Sequence, residues 1–346
     1  MKQLKPGLMM FFLLCALSVS AQKNTFRVMF YNVENLFDTE HEPNKQDVEF
    51  TPEGNKHWNK HKYYDKLENI AKVITAVGEW DTPVLVGLSE VENNKVLKDL
   101  TQSSPLRKMQ YRYVLTESRD PRGIDVALLY QRDRFKYLSH DCIRIKFPGH
   151  SKKRTRDLLH VTGQISTGDT LDVFVVHFPS RRAGQQESEP DRLHVASVLR
   201  AKTDSLARVR TKANLIIMGD FNDEPSDRSI SQVLNTKAPM YSEQPMDLFN
   251  LFLSIEKNSP IGTYKYRNQW NFLDQIIVSG NLLNSNSAFQ VLPETARIFQ
   301  ADFLLVKDKS NGGRRPKKTF NGRNYEGGYS DHLPVFVDFQ VKTIKK

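Results

Sequence analysis

Seven apolar runs of four to eight residues recur along the chain, and six of them close or open on acids, amides or imidazoles. They are Phe26–Tyr31, Val84–Leu88, Asp125–Tyr130, Leu171–Phe178, Leu215–Met218, Phe272–Ser279 and Leu333–Phe339. Rich in Val, Ile, Leu and Phe and mostly bounded by polar residues, Gly or Pro, they read as buried strands. Two stretches between them carry helical spacing instead: Leu67, Ile70, Ala71, Ile74 and Val77, then Leu193, Ala196, Leu199, Leu206 and Val209. Strands interleaved with helices over the whole length predict an α/β fold. No internal repeat and no glycine-serine linker interrupts the pattern, so residues 22–346 read as one domain. The 39% hydrophobic and 10% aromatic content provides the core that a disordered chain lacks.

The first 21 residues are set apart from this pattern. Lys2 and Lys5 precede an apolar run from Leu8 to Leu17, and Val19-Ser20-Ala21 follows. A basic start, a short apolar centre and a small-residue end predict a signal peptide cut after Ala21. The run is too short to span a bilayer, and no stretch of about 18 apolar residues occurs elsewhere. Cys15 lacks the small residue before it that a lipidation site wants. The chain is thus expected to be exported, to the periplasm or beyond, and to act as a monomer without stable membrane insertion. Removing the leader lowers the formal charge from +10 to +8 and leaves Cys142 as the single thiol. A disulfide framework is excluded, and Cys142 is expected to be a small buried hydrophobe. The positive balance suits anionic partners such as nucleic acid or phosphorylated lipids.

The chemistry lies at the strand ends. Tyr31-Asn32-Val33-Glu34-Asn35, Ser89-Glu90-Val91-Glu92, His177-Phe178-Pro179-Ser180-Arg181 and Gly219-Asp220-Phe221-Asn222-Asp223 close four strands. Asp274 and Ser330-Asp331-His332 open two others. If all six meet at one edge, the last two strands run opposite to the first four, which requires mixed sheets. Carboxylate and amide oxygens suit hard divalent cations. The absence of HExxH, of clustered cysteines, of GxxxxGK[ST] and of GxGxxG excludes zincin, thiolate, P-loop and common dinucleotide sites. A phosphoester hydrolase needs a cation, a positioned water and donors for developing charge; Asp, Asn and His fill those posts.

Taken together, YNVENLFD at Tyr31–Asp38, GDFN at Gly219–Asn222 and SDHLP at Ser330–Pro334 resemble the endonuclease/exonuclease/phosphatase superfamily, in a secreted bacterial branch. That group includes DNase I, abasic-site endonucleases, neutral sphingomyelinases and inositol polyphosphate 5-phosphatases. The resemblance runs from about Phe26 to Phe339. It implies a four-layer α/β sandwich, two packed mixed sheets flanked by helices, with the site at one end and Mg²⁺ or Mn²⁺ (Ca²⁺ also fits) as cofactor. By the same resemblance Asn32, Glu90 and Asp331 are metal residues. Asp220 and Asn222 orient water and hold the phosphoryl group, His332 contacts the phosphate with Asp274 behind it, and His177 is a general acid. Arg119, Arg122 and Arg181 are candidate phosphate contacts by their nearness to the motifs. The aromatic and arginine wedges of an abasic-site enzyme are missing, and so are the disulfides of DNase I.

Two segments are expected to be long loops: His41–His61, a lid or a solvated surface loop, and Lys307–Gly328, a basic arm or a solvated loop. Three functions follow in order: a secreted metal-dependent nuclease for DNA or RNA, a phosphatase or phosphodiesterase of lipid head groups, inositol phosphates or other small phosphoesters, and a non-catalytic binding protein.

Overall fold

The computed structural model describes residues 25–240 and 246–342. The leader and its cut after Ala21 lie outside the described residues. The strands in the first half are β1 (Thr25–Leu36), β2 (Leu85–Val91), β3 (Arg112–Leu115), β4 (Asp125–Tyr130), β5 (Phe135–Ile143), β6 (Leu158–Ile165) and β7 (Thr170–His177). After them come β8 (Leu215–Asp220), β9 (Thr236–Lys237), β10 (Leu248–Asn250), β11 (Tyr264–Tyr266), β12 (Gln269–Asn271), β13 (Asp274–Ser279) and β14 (Phe289–Ile298). Two small hairpins follow, β15 (Leu305–Lys307) with β16 (Arg314–Pro316) and β17 (Phe320–Asn321) with β18 (Asn324–Tyr325), before β19 (Val335–Val341). The helices are α1 (Lys60–Gly78), α2 (Asn94–Gln102), α3 (Gln185–Val209) and α4 (Leu253–Asn258).

Six strands form one sheet in the order β14-β19-β1-β2-β4-β3, and seven form the other, β5-β6-β7-β8-β13-β10-β9. Both sheets are mixed. Each has a central parallel pair, β1 with β2 and β7 with β8, and parallel neighbours need a long crossover. Helices α1 and α3 are those crossovers, and they are the two helices legible in the sequence. Strand β19 runs against β1 and β13 against β8, as the strand-end argument required.

Side-chain alternation explains the layers. Val173 and Val175 of β7, Ile216 and Met218 of β8 and Ile276 and Val278 of β13 join a core shared with the first sheet. Their neighbours Phe174, Val176, Leu215, Ile217 and Ile277 pack in a second core with Val195, Ala196 and Leu199 of α3. At the sheet–sheet contact a Cβ on Gly87 would lie 2.6 Å from Met218 Sδ, so the layers meet closely there.

Besides the shortest strands, the sequence pattern missed three long ones, β5, β6 and β14. Residues 136–141 of β5 are all exposed, so no apolar run marks it. Strand β6 contains Gly163, where a Cβ would lie 2.2 Å from the Phe135 ring; the glycine makes room for it. Strand β14 lies at a sheet edge, and its register slips between Leu292 and Arg297, around Pro293, where a ladder hydrogen bond is unavailable to proline.

The two supposed loops are better anchored than expected. In the first, Phe50 stacks on Phe37 at 4.5 Å and buried Trp58 donates Nε1–H to Phe37 O at 3.0 Å. The second folds into the two hairpins, and several of its charges are paired: Arg315 with Glu326 inside the segment, and Arg314 with Asp302 at 2.8 Å and Asp308 with Lys265 at 3.0 Å outside it. Cys142 is half-buried rather than buried, and burial beside Asp157 and Asp141 pushes its thiol up to about 11, which disfavours the thiolate.

Asp172 in β7 is buried under His160 (2.9 Å) and Arg210 (2.8 Å). Burial opposes its charge, but the bonds from His160, Arg210 and Thr162 outweigh it and hold the carboxyl at about 2. A carboxyl depressed in the fold adds stability above its ordinary pKa near 3.8, lost as pH falls through 2. Unfolding titrations of wild type and Asp172→Asn at pH 5 and below pH 2 are expected to differ by about 2 kcal/mol in their acid loss.

Candidate active site

The site begins with a kink in β1. The β1–β2 register shifts between Asn32 and Leu36, and the β2–β4 register shifts between Ser89 and Val91. A bulge re-aims the side chain it carries. Glu34, Asn35 and Glu90 accordingly sit at φ 52°, 51° and 62°, and Asn222 at 50°. Asn tolerates this left-handed backbone; for Glu it costs about 1 kcal/mol or more per residue. Such strain persists only where surrounding bonds hold it. Here Glu90 accepts from Asn35 N–H at 2.9 Å, and Glu34 N–H donates to Asn32 Oδ1 at 3.0 Å.

On the other sheet, pairing aligns three residues side by side: His177 opposite Asp220, and Asp220 opposite Asp274. Asp220 is the hub. Its Oδ1 accepts from Asn222 N–H at 2.9 Å and its Oδ2 from Asn32 Nδ2 at 3.0 Å. His177 Nε2 stands 3.5 Å and His332 Nε2 3.8 Å from the same Oδ2. Gly219 allows this closeness, since a Cβ there would lie 2.2 Å from Val176 O. His332 Nδ1 lies 2.7 Å from Asp274 Oδ2, which fixes the ring. Ser330 Oγ donates to Asn32 O at 2.7 Å and accepts from His332 N–H at 3.0 Å, tying the SDH turn to β1.

Burial disfavours every charge here, and the neighbours decide the outcome. Burial raises Asp220 to about 7, with His332 opposing and Asp274 adding to the shift. His177 falls well below its ordinary value through burial and the Arg156 and Arg122 charges. For His332, burial is outweighed by Asp274 and Asp220, and its pKa lies well above the ordinary value. For Glu90, Arg122, His332 and the Asn35 amide overcome burial and lower it. Asp331 is raised by burial, with Glu90 as the largest like charge.

Sequence reasoning left several supporting residues unmarked. Thr263 Oγ1 accepts from Leu273 N–H and Asp274 N–H, both at 3.1 Å. Its neighbour Tyr264 pairs with His332 and covers its ring at 4.8 Å. Thr263 immediately precedes, and Tyr264 opens, a short strand with no apolar run, so only proximity reveals the pair. Lys66 of α1 is fully buried and donates to Thr319 Oγ1 (2.6 Å) and Tyr329 O (2.7 Å), with Glu34 at 3.7 Å. It pins the segment leading to Asp331 against the β1 bulge. The helical pattern shows Lys66 beside Leu67, but a lone lysine gives no sign that it turns inward.

The three arginines part company. Arg122 reaches the site, bonding Asn35 Oδ1 at 2.8 Å and Glu90 Oε1 at 3.4 Å. Arg181 instead braces the GDFND turn from behind, through Asn222 O (2.6 Å), Asp227 (2.6 Å) and Asp223 (3.3 Å). Arg119 is exposed in a separate cavity with residues of the 144–157 segment.

Hard oxygen donors face one another across the two sheets. Ligand atoms of Asp220, Asp274 and His332 lie within 4.8 Å of one another, and Asp274 Oδ1 is buried without a hydrogen-bond partner. Glu90 and Asp331 add two mutually repelling carboxylates. A buried orphan acceptor among several crowded, buried carboxylates fits a divalent cation. The Asn32 amide is engaged at both ends, which leaves only a second lone pair on Oδ1 for an ion.

The fold is shared with solved structures. Bacteroides thetaiotaomicron mannosyl-6-phosphatase Bt3783 is 17% identical, with 91% of this chain and 99% of that one covered and a TM-score of 0.56. D. rerio TDP2 complexed with a single-strand DNA product is 15% identical, covering 92% and 99% at 0.55. The human Nocturnin catalytic domain with bound sulfate is 18% identical, covering 92% and 94% at 0.52. No curated protein sequence is significantly similar to the chain. Residues 27–341 nonetheless match the Endonuclease/Exonuclease/phosphatase family, over the stretch that holds both sheets and every one of these strand ends, and the chain therefore belongs to that family.

Proposed function

We propose that the protein is an exported, divalent-cation-dependent phosphoester hydrolase whose first substrate class is the phosphodiester of DNA or RNA. The observation that carries the hydrolase reading is the Asp274–His332–Asp220 row, joined at 2.7 Å and 3.8 Å and flanked by His177. A bound Mg²⁺, Mn²⁺ or Ca²⁺ would supply charge stabilisation at the phosphoryl oxygens and a more acidic water. Glu90, Asp331 and the free lone pair of Asn32 are the residues we assign to it.

The chain's own groups do the rest. Asp220 offers a carboxylate oriented by Asn32 and Asn222 to accept a proton from the attacking water. His332, its ring fixed by Asp274, donates to the phosphoryl oxygen as negative charge grows there. His177 Nε2 faces the same centre, and because burial and the nearby arginines hold its ring neutral it serves there as a hydrogen-bond partner, while the leaving oxygen takes its proton from water. The net positive charge and the likeness to TDP2 bound to DNA support a nucleic-acid substrate. The likeness to a mannosyl-6-phosphatase favours a second reading, a small phosphomonoester on the same residues. The leader-like first 21 residues support export.

Hydrolysis of plasmid DNA, RNA, a sugar 6-phosphate, inositol phosphates, sphingomyelin and a chromogenic phosphodiester by purified residues 22–346 tests this, with Mg²⁺, Mn²⁺ or Ca²⁺ against EDTA. Cation-dependent nicking is the expected result. Turnover of a small or lipid phosphoester with intact nucleic acid would transfer the function to the second reading. No turnover of any substrate would overturn both.

A further inference from the structure

The segment 144–157, between β5 and β6, carries six lysines and arginines against the single acid Asp157. Because β6 and β7 are antiparallel, this segment lies at the sheet end where His177 closes β7. With Arg119 it lines a cavity of about 290 Å³. The cavity floor is apolar, from Ile145 and Phe147, and its rim carries Arg119, Lys146 and Arg154, all exposed. Of the other rim cations, Arg144 is paired with Asp157 at 3.5 Å and Lys153 with Asp191 at 2.5 Å. Among the described residues, Arg119, Lys146 and Arg154 have no acidic partner.

The cavity is mechanically joined to the active site. Buried Arg156 pairs with buried Asp120 at 3.2 Å and donates to Phe178 O, next to His177. Asp120 also accepts from the backbone N–H of Arg122, whose guanidinium reaches Glu90. One buried ion pair therefore sets both the cationic rim and the Arg122 approach to the centre.

We propose that this cavity is a docking site for the flanking backbone and a neighbouring nucleotide of a nucleic-acid strand whose scissile phosphate lies at Asp220. Unpaired cations on a rim suit phosphates, and an apolar floor suits a sugar or base face, which a bare phosphate does not need. The inference rests on the hydrolase reading and narrows its substrate to a polynucleotide.

The test is binding of a fluorescein-labelled 12-nucleotide single strand in EDTA, at several salt concentrations, so that no turnover is required. Lys146→Ala/Arg154→Ala is expected to weaken binding about tenfold or more and to flatten the salt slope by about 1.4, roughly 0.7 per lost phosphate contact. Lys108→Ala/Lys136→Ala, the same charge loss at the opposite end of the two sheets, should leave both nearly unchanged. Equal losses in the two double variants would overturn the site in favour of general charge attraction. Unchanged binding in the first double variant, or no binding by wild type, would overturn it even if small phosphoesters are hydrolysed. Attachment to phosphatidylglycerol vesicles through Lys146 and Arg154 without oligonucleotide binding would also overturn it. Failure of hydrolysis alone would strike the catalytic reading and leave this binding result standing.

Discussion

His332→Ala is expected to lower kcat on a chromogenic phosphodiester about a thousandfold. The ring is oriented by Asp274 at 2.7 Å and faces Asp220 at 3.8 Å, so it is a pre-aimed donor at the point where phosphoryl charge would grow. Loss of one such donor typically costs roughly 10²–10³ in rate. The substitution also removes the partner of Asp274, whose other oxygen has none, so the variant should unfold at a lower temperature. Two controls separate the effects. Activity should be read well below the variant's unfolding transition, and added imidazole should restore a measurable part of the rate, which a purely structural defect would not allow. A variant retaining more than a tenth of wild-type kcat would remove His332 from the reacting centre.

Arg192→Leu is expected to destabilise the fold by about 3–5 kcal/mol, the cost of leaving a buried charge without its partner. Arg192 in α3 is completely buried, with Nε 2.7 Å from Asp223 Oδ1 and further bonds to Ser188 Oγ and Gln185 O. Asp223 is the residue after GDFN, so the pair fastens the catalytic turn to the crossover helix. Arg181, 3.3 Å from the same carboxylate, softens the loss. Thermal unfolding should show the drop, and Asp223→Asn in the same background should recover much of it, because Ser229 Oγ at 2.6 Å can still bond the amide. A change below 1 kcal/mol would mean that Arg181 alone neutralises Asp223.

These two residues show what the sequence could and could not disclose. His332 was legible because SDH directly precedes an apolar run, and a polar cluster at a strand end needs a reason. Arg192 was not, because an arginine among helical polar residues reads as a solvated face until its burial is seen. The same divide runs through the fold. Strands buried on both faces, such as β7 and β8, announce themselves as unbroken apolar runs. Edge strands such as β5 and β14 do not, because much of their length meets water, in β5 on both faces. The 144–157 charges drew no notice in the sequence, where Lys307–Gly328 was the basic segment, because only the β6–β7 pairing brings them to the end where His177 lies. Arg181 lay near a motif as expected, yet proximity in sequence did not reveal that it braces the turn.

The close approach of the two sheets at Gly87 and Met218 has a consequence for how such a protein tolerates change. Asn32 and the SDH turn belong to one sheet, while Asp220 and Asp274 belong to the other, so the polar contacts of the site bridge an interlayer seam. Any substitution that slides or spreads the layers by a few tenths of an ångström alters the His332–Asp220 spacing before it exposes any apolar surface. For the proposed hydrolase, catalytic rate is then a finer gauge of interlayer alignment than melting temperature, and conservative methyl additions along this seam should lower the rate before they unfold the chain.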